Sequence, residues 1–137
     1  MAEVLGIVGD RWALLIVREV ALGLRRFDEL QTTTGAPRQV LSDRLRRLTA
    51  AGLLDTRPYR VPGQRARSEY LLTDAGIDLL PVLSALSDWG ERHLAAGAMP
   101  EIVYRHTRCG GRVTATLHCE CGEDADPHAR VVAEVRR

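Results

Sequence analysis

A chain of 137 residues, 45% hydrophobic and 27% charged, is one domain or one domain with an appendage, large enough to bury a core without disulfides. Its 19 basic residues are all arginine and stand against 18 carboxylates, for a formal net charge of +1. No apolar run approaches the roughly 20 residues that cross a bilayer, the N-terminus lacks a signal-peptide pattern, and three cysteines confined to the last thirty residues do not make a secreted disulfide framework. A cytoplasmic protein without a membrane partner is therefore expected.

In chain order, residues 2–8 can form a short helix, and Asp10 is a fair N-cap for a second over 11–22, stopped by Gly23. Trp12, Leu15, Ile16 and Val20 fall at helical spacing and predict a face packed on a core. Phe27 and Leu30 anchor a shorter helix over 26–32, which the run Thr32-Thr33-Thr34-Gly35-Ala36 is expected to break. Pro37 suits the first position of the next helix, which runs to about residue 51 and ends at Gly52. Leu41, Leu45 and Leu48 share its inner face. The opposite face presents Arg38, Gln39, Ser42, Asp43 and Arg46, with Arg44 and Arg47 at its flanks. Two short helices, a tight turn and an arginine-lined amphipathic helix make a helix-turn-helix pattern.

Residues 53–61 read as a strand, Pro62-Gly63-Gln64 as a turn, and 68–72 as the returning strand. This hairpin is shaped like a wing, with Arg60, Arg65 and Arg67 at or near its tip. From 38 to 67 the chain holds eight arginines against Asp43 and Asp55, a local +6, while 68–104 holds one arginine against six carboxylates, a local −5. Such a division is expected when one surface meets a polyanion and another does not.

Thr73 should cap a long helix to about residue 96, bent by Pro81. Leu79, Leu80, Val82, Leu83, Leu86, Trp89 and Leu94 cover more than one of its faces, so a second copy of the chain is the expected partner, the alternative being that the helix packs only on its own domain. Beyond Gly97 the character changes. Residues 101–107 and 112–117 suggest a hairpin around Gly110-Gly111, followed by a polar tail ending in a short run from 128 to 137. The expected division is a DNA-binding and dimerisation domain over 1–97 and a small β-rich Cys/His extension over 98–137.

The chain resembles the HxlR family of bacterial winged helix-turn-helix transcription regulators over about residues 4–94. The resemblance rests on Gly9-Asp10-Arg11-Trp12, Leu15-Ile16-Val17-Arg18-Glu19, Gly23, Arg26-Phe27-Asp28-Glu29-Leu30 and Leu41-Ser42-Asp43-Arg44-Leu45-Arg46-Arg47-Leu48. It continues through Gly52-Leu53-Leu54, Tyr59, Glu69-Tyr70, Leu72-Thr73, Gly76, Leu80-Pro81 and Trp89-Gly90. The resemblance implies a mainly α fold with a small β-hairpin wing, a homodimer joined through its N- and C-terminal helices, and two recognition helices in successive major grooves. Redox-sensing members use a cysteine just ahead of the first matched helix; here none precedes Cys109, so that mechanism does not carry over.

Double-stranded DNA is thus the expected partner. Arg26, Arg60, Arg65 and Arg67 are candidate phosphate contacts, and Arg38, Gln39, Ser42 and Arg46 are candidate readers of base edges. Arg44 joins this set from the flank, although it and Arg47 could instead bridge to Asp43, Glu29 or Asp28. Exposed arginines on a helix are usually a solvated face, and it is the helix-turn-helix setting and the wing's charge that favour contact for the set.

In the extension, His106-x2-Cys109 is followed after a hairpin's length by His118-Cys119-Glu120-Cys121-Gly122. The pairs resemble a small zinc knuckle with His106, Cys109, Cys121 and either Cys119 or His118 as ligands of a structural zinc. Longer proteins of the resembled family with such a tail tend to end C-x-x-C-G. Here the spacing is C-x-C-G, so either one residue is missing or His118 fills the first slot. A remnant that packs without metal and a redox-sensitive Cys119–Cys121 pair are the alternatives, while His93 and His128 read as ordinary surface or packing histidines.

A metal-dependent or thiol enzyme built on the extension is a competing function. No Ser–His–Asp order, paired-carboxylate site or phosphate-cradling glycine loop supports it, and no enzyme is expected. A sensor whose small-molecule effector sits between the terminal helices, near Trp12, Trp89 and Tyr70, is compatible with the regulator.

Overall fold

The computed structural model describes residues 1–63, 65–94, 102–126, 128 and 131–134. It divides into two units, Met1–Leu80 and Pro81–Arg137. The expected boundary between residues 97 and 98, the end of the long helix near 96, Gln64 in the wing turn and half of the run from 128 to 137 lie outside the described residues.

Helix α1 spans Ala2–Val8 and buries none of its residues, leaving Val4, Leu5 and Ile7 exposed. Asp10 starts α2, Arg11–Ala21, because its Oδ1 accepts the Trp12 amide at 2.9 Å and the Ala13 amide at 3.2 Å, satisfying two otherwise orphaned donors. One side of α2 then buries Ala13, Ile16, Val17 and Val20. Glu19 is buried with them and its charge is met by the neighbouring Arg18 guanidinium at 2.5 Å.

Helix α3 spans Phe27–Thr34, ending two residues beyond the expected 26–32. The threonine run stays helical, with Thr32 Oγ1 donating to the Asp28 carbonyl at 2.9 Å and Thr34 Oγ1 to the Leu30 carbonyl at 2.6 Å, so neither hydroxyl competes for a non-helical turn. The helix stops instead at Gly35, whose φ is 68°. Pro37 is the N-cap of α4, Arg38–Ala50, rather than its first helical residue. Leu41, Leu45 and Leu48 lie at helical spacing and are at most 1% exposed, and each such burial stabilises by roughly 1.5–3 kcal/mol. With Ile16, Val17 and Leu30 they form the core on which α4 rests.

Strands β1, Leu54–Tyr59, and β2, Arg67–Leu72, pair antiparallel from Leu54 opposite Leu72 to Tyr59 opposite Arg67. β1 is shorter than the expected 53–61, mostly at its tip side, whereas β2 starts one residue before the expected 68–72. The segment before α3 adds to this ribbon: Arg26 bridges Glu69, and the Tyr70 amide donates to the Arg25 carbonyl at 2.8 Å. The wing's base is thereby fixed to the start of α3.

The long helix expected from Thr73 is two helices, α5 over Asp74–Ile77 and α6 over Leu80–His93. Thr73 caps α5 as expected, its Oγ1 accepting the Gly76 amide at 3.1 Å and donating to the Gly52 carbonyl at 2.5 Å. Gly76 is needed there because a Cβ would collide with the Leu53 carbonyl oxygen. The break follows from Pro81, which has no N–H for the carbonyl four residues back, so a new helix starts around it instead of an old one bending. On α6, Leu83 and Ser84 are buried, while Val82, Leu86 and Trp89 are exposed.

In the second unit, Arg112 pairs with Asp88 at 2.8 Å and with Glu91. The guanidinium holds the Glu91 carboxyl below its usual value. The hairpin expected around Gly110-Gly111 is present in short form, without named strands: Arg105 bridges Arg112, flanked by the Val113 and His106 amides donating to the Tyr104 and Gly111 carbonyls at 2.8 Å, and a second bridge joins His118 to Asp124. None of the described residues from 102 to 134 is buried. Among the described residues no helix is long and apolar enough to cross a membrane.

Candidate nucleic-acid interface

The side chains of α4 that point away from the core are Arg38, Gln39, Ser42 and Arg46, all exposed. Arg38 is held by stacking, its guanidinium carbon 5.0 Å from the centroid of the Phe27 ring. Arg46 reaches Asp43 Oδ1 at 2.5 Å, yet its side chain is 78% exposed, so the pair can open toward solvent or a ligand.

Arg44 is placed differently from its neighbours. Its Nε lies 2.8 Å from Asp10 Oδ2 and its Nη1 2.7 Å from Asp43 Oδ2, with 23% of the side chain exposed. The Nε–H does not point along the line to Asp10, so that contact is ionic and not a hydrogen bond. Asp10 thus both caps α2 and ties it to α4. Arg47 donates to the Gly6 carbonyl at 3.2 Å. Of the three carboxylates expected to hold these two arginines, only Asp43 does so. Glu29 instead accepts the backbone amides of Arg25 and Arg26, at 3.2 and 3.0 Å, and Asp28 faces Arg67 at 4.0 Å.

On the wing, Arg26 lies with its guanidinium carbon 4.7 Å from the Tyr59 ring centroid and its Nε 3.8 Å from Glu69 Oε1. Arg57, a residue the sequence reading did not single out, meets the same carboxylate at 3.2 Å. The strand register could have indicated it, since Arg57 stands directly opposite Glu69. Arg60 and Arg65 are exposed, and among the described residues no carboxylate pairs with either. Arg67 remains 55% exposed despite its distant contact with Asp28.

The start of α3, the start of α4 and the wing enclose one cleft of about 660 Å³. Arg38 and Arg67 line it against one carboxylate, Asp28, with Phe27, Tyr59 and Tyr70 as its apolar and aromatic wall. Burial there raises the Tyr70 phenol above its usual pKa. Trp12 is half-buried under the Arg11 guanidinium at 4.0 Å, and Trp89 is exposed beside His93. A cationic, aromatic-walled groove between a helix and a hairpin suits a phosphate backbone and the bases beside it.

The Cys/His residues of the extension sit in two turns. His106 Nδ1 is 3.2 Å from Cys109 Sγ, His118 Nδ1 is 3.1 Å from Asp124 Oδ1, and all three cysteines are exposed and free. Hydrogen bonds from the Cys121 backbone and thiol and from the Glu120 backbone hold the Cys119 thiol below its usual pKa. Among the described residues no three His, Cys, Asp or Glu side chains are gathered closely enough to hold a metal ion.

Residues 7–98 match the model of HxlR-like helix-turn-helix proteins. An uncharacterised HTH-type transcriptional regulator of Mycobacterium tuberculosis strain H37Rv is 42% identical over 125 residues, covering 90% of this chain and 78% of the relative. The crystal structure of PA1607, named as a transcription factor, superposes with a TM-score of 0.78 at 30% identity, covering 96% of this chain and 91% of the other. PA1374 of Pseudomonas aeruginosa, named likewise, gives a TM-score of 0.67 at 31% identity over 98% of this chain and 90% of its own. These three matches extend past residue 98, so they take in part of the Cys/His extension as well as the wing. The chain belongs to the HxlR-like helix-turn-helix family.

Proposed function

We propose that this protein is a transcription regulator of the cytoplasm, and not an enzyme, that binds duplex DNA sequence-specifically as a homodimer. The observation that carries this reading is the shared cleft: Arg38 of α4 and Arg67 of the wing line the same groove. In this reading α4 enters the major groove with Arg38, Gln39, Ser42 and Arg46 at base edges. Arg60, Arg65 and Arg67 neutralise phosphates beside it, which supplies affinity but little sequence information. Arg44 and Arg26 act mainly as positioning residues, because Asp10, Asp43 and Glu69 already hold them.

The dimer is supported by apolar surface left open on the terminal helices: Val4, Leu5 and Ile7 on α1, and Val82, Leu86 and Trp89 on α6. Val82, Leu86 and Trp89 recur at helical spacing, as an interface stripe requires.

The test is a hydroxyl-radical footprint on the duplex upstream of the protein's own gene, with sedimentation of the free protein alongside. The expected result is a dimer that protects two symmetric patches about 34–36 Å apart along the duplex. Uniform protection no stronger than on random DNA, or a monomer at the binding concentration, would contradict the reading.

A further inference from the structure

The two turns of the extension are the same structure twice. At the outer step of each, an amide donates back across the turn at 2.8 Å: Val113 to the Tyr104 carbonyl, and Ala125 to the Leu117 carbonyl. One step inward, backbone bridges pair Arg105 with Arg112 and His118 with Asp124. A further step inward, the His106 amide donates to the Gly111 carbonyl at 2.8 Å and the Cys119 amide to the Glu123 carbonyl at 2.9 Å. Each turn closes on a glycine directly after a cysteine, Gly110 at φ 71° and Gly122 at φ 94°, a conformation that disfavours other residues.

Laid on this common ladder, Cys109 coincides with Cys121 and His106 coincides with Cys119. The second turn is simply one residue shorter, with Glu120 standing where residues 107–108 stand in the first. His118 falls on the position of Arg105, one step outside, and its ring is already engaged with Asp124 at 3.1 Å. Sequence spacing alone leaves His118 and Cys119 as rivals; the backbone ladder separates them.

We propose that the two turns together hold one zinc-class divalent cation through His106, Cys109, Cys119 and Cys121, as a structural site that closes the extension. Three thiolates and one imidazole are soft, tetrahedral donors that favour zinc over magnesium or calcium. Two donors on one tetrahedral zinc stand about 3.5 Å apart from the usual bond lengths, and His106 Nδ1 and Cys109 Sγ are 3.2 Å apart. Each turn is therefore one half of a site, and metal binding draws the halves together. The extension also needs such a closure, because none of its described residues is buried and a segment this short cannot build a core of its own.

The site goes beyond the DNA-binding reading and stands or falls separately from it. The experiment uses the full, untagged, reduced chain, stripped with chelator and titrated with cobalt(II) and then zinc(II), with far-ultraviolet circular dichroism as the folding control. The expected result is one cobalt per chain, with thiolate charge-transfer absorption and the intense d–d bands of a tetrahedral site, displaced by zinc. Cys109→Ser and Cys119→Ser should lose that spectrum while keeping their helical signal, since neither cysteine belongs to the core of the first unit. His118→Ala should keep the spectrum. A chain that takes up no cobalt, a weak octahedral spectrum, or loss in His118→Ala with retention in Cys119→Ser would overturn the proposal. DNA affinity of the same samples is scored apart, so a failed metal site leaves the regulator reading intact, and the converse.

Discussion

Helix α4 and the wing carry the same residue type in two different electrostatic settings. On α4, Arg44 contacts Asp10 and Asp43, and Arg46 contacts Asp43. At the wing, Arg60 and Arg65 meet no carboxylate among the described residues, and only Arg26, Arg57 and Arg67 have acidic neighbours. The helix is also anchored by three buried leucines, whereas Leu54 is the one buried residue of the two strands. A rigid helix whose arginines are pre-oriented by partners suits discrimination between bases. Unpaired guanidiniums on a projecting hairpin suit a sequence-blind attraction to phosphate.

Removing the anchor of α4 should have the largest effect. Leu45→Ala leaves a cavity under the middle of α4 and should cost about 2–5 kcal/mol in denaturant unfolding. A loss well under 1 kcal/mol would mean that α4 does not rest on this core. Next in size, Arg38→Ala and Arg46→Ala should each remove about 1–3 kcal/mol of preference for the operator over a scrambled duplex. Sedimentation should show the dimer unchanged in both. Arg60→Ala and Arg65→Ala should instead weaken all sequences alike and lower the slope of log affinity against log salt by about 1 each. A loss confined to the operator would move those residues into the base-reading set. The smallest effect belongs to Asp43→Asn, which frees Arg46 while leaving Arg44 held by Asp10, and should change stability by no more than about 1 kcal/mol. Affinity for random DNA should rise in that variant, because a negative charge next to the groove is gone.

Much of this arrangement was legible in the sequence, and the misses have local causes. The 3.6-residue spacing of Leu41, Leu45 and Leu48 located the inner face of α4 and, by opposition, its outer face. Asp10 as a cap and the paired strands with arginines near the tip were equally readable. The threonine run misled because β-branched residues disfavour helices on average, while here Thr32 and Thr34 return their hydroxyls to carbonyls four residues back. The break between α5 and α6 falls at Pro81, where a proline pattern in sequence reads equally as a bend in one helix or as the first turn of a new one. Asp43 was the one local partner read correctly for Arg44; Asp10 and Gly6, which also hold Arg44 and Arg47, lie more than thirty residues away, where local charge pairing does not reach. In the extension, two turns of unequal length concealed their common ladder, because aligning Cys119 with His106 needs the backbone hydrogen bonds.

The central claim is that the outer face of α4 reads bases while the wing binds phosphate, on one duplex. The direct measurement is affinity by fluorescence anisotropy, for operator and scrambled duplexes over a range of salt. It compares the wild-type chain with an Arg38→Ala/Arg46→Ala variant and an Arg60→Ala/Arg65→Ala variant. The account predicts that the α4 variant loses the gap between the two duplexes, whereas the wing variant keeps the gap and loses about 2 from the salt slope. The same loss of gap in both variants, or a wing variant with an unchanged slope, would contradict it.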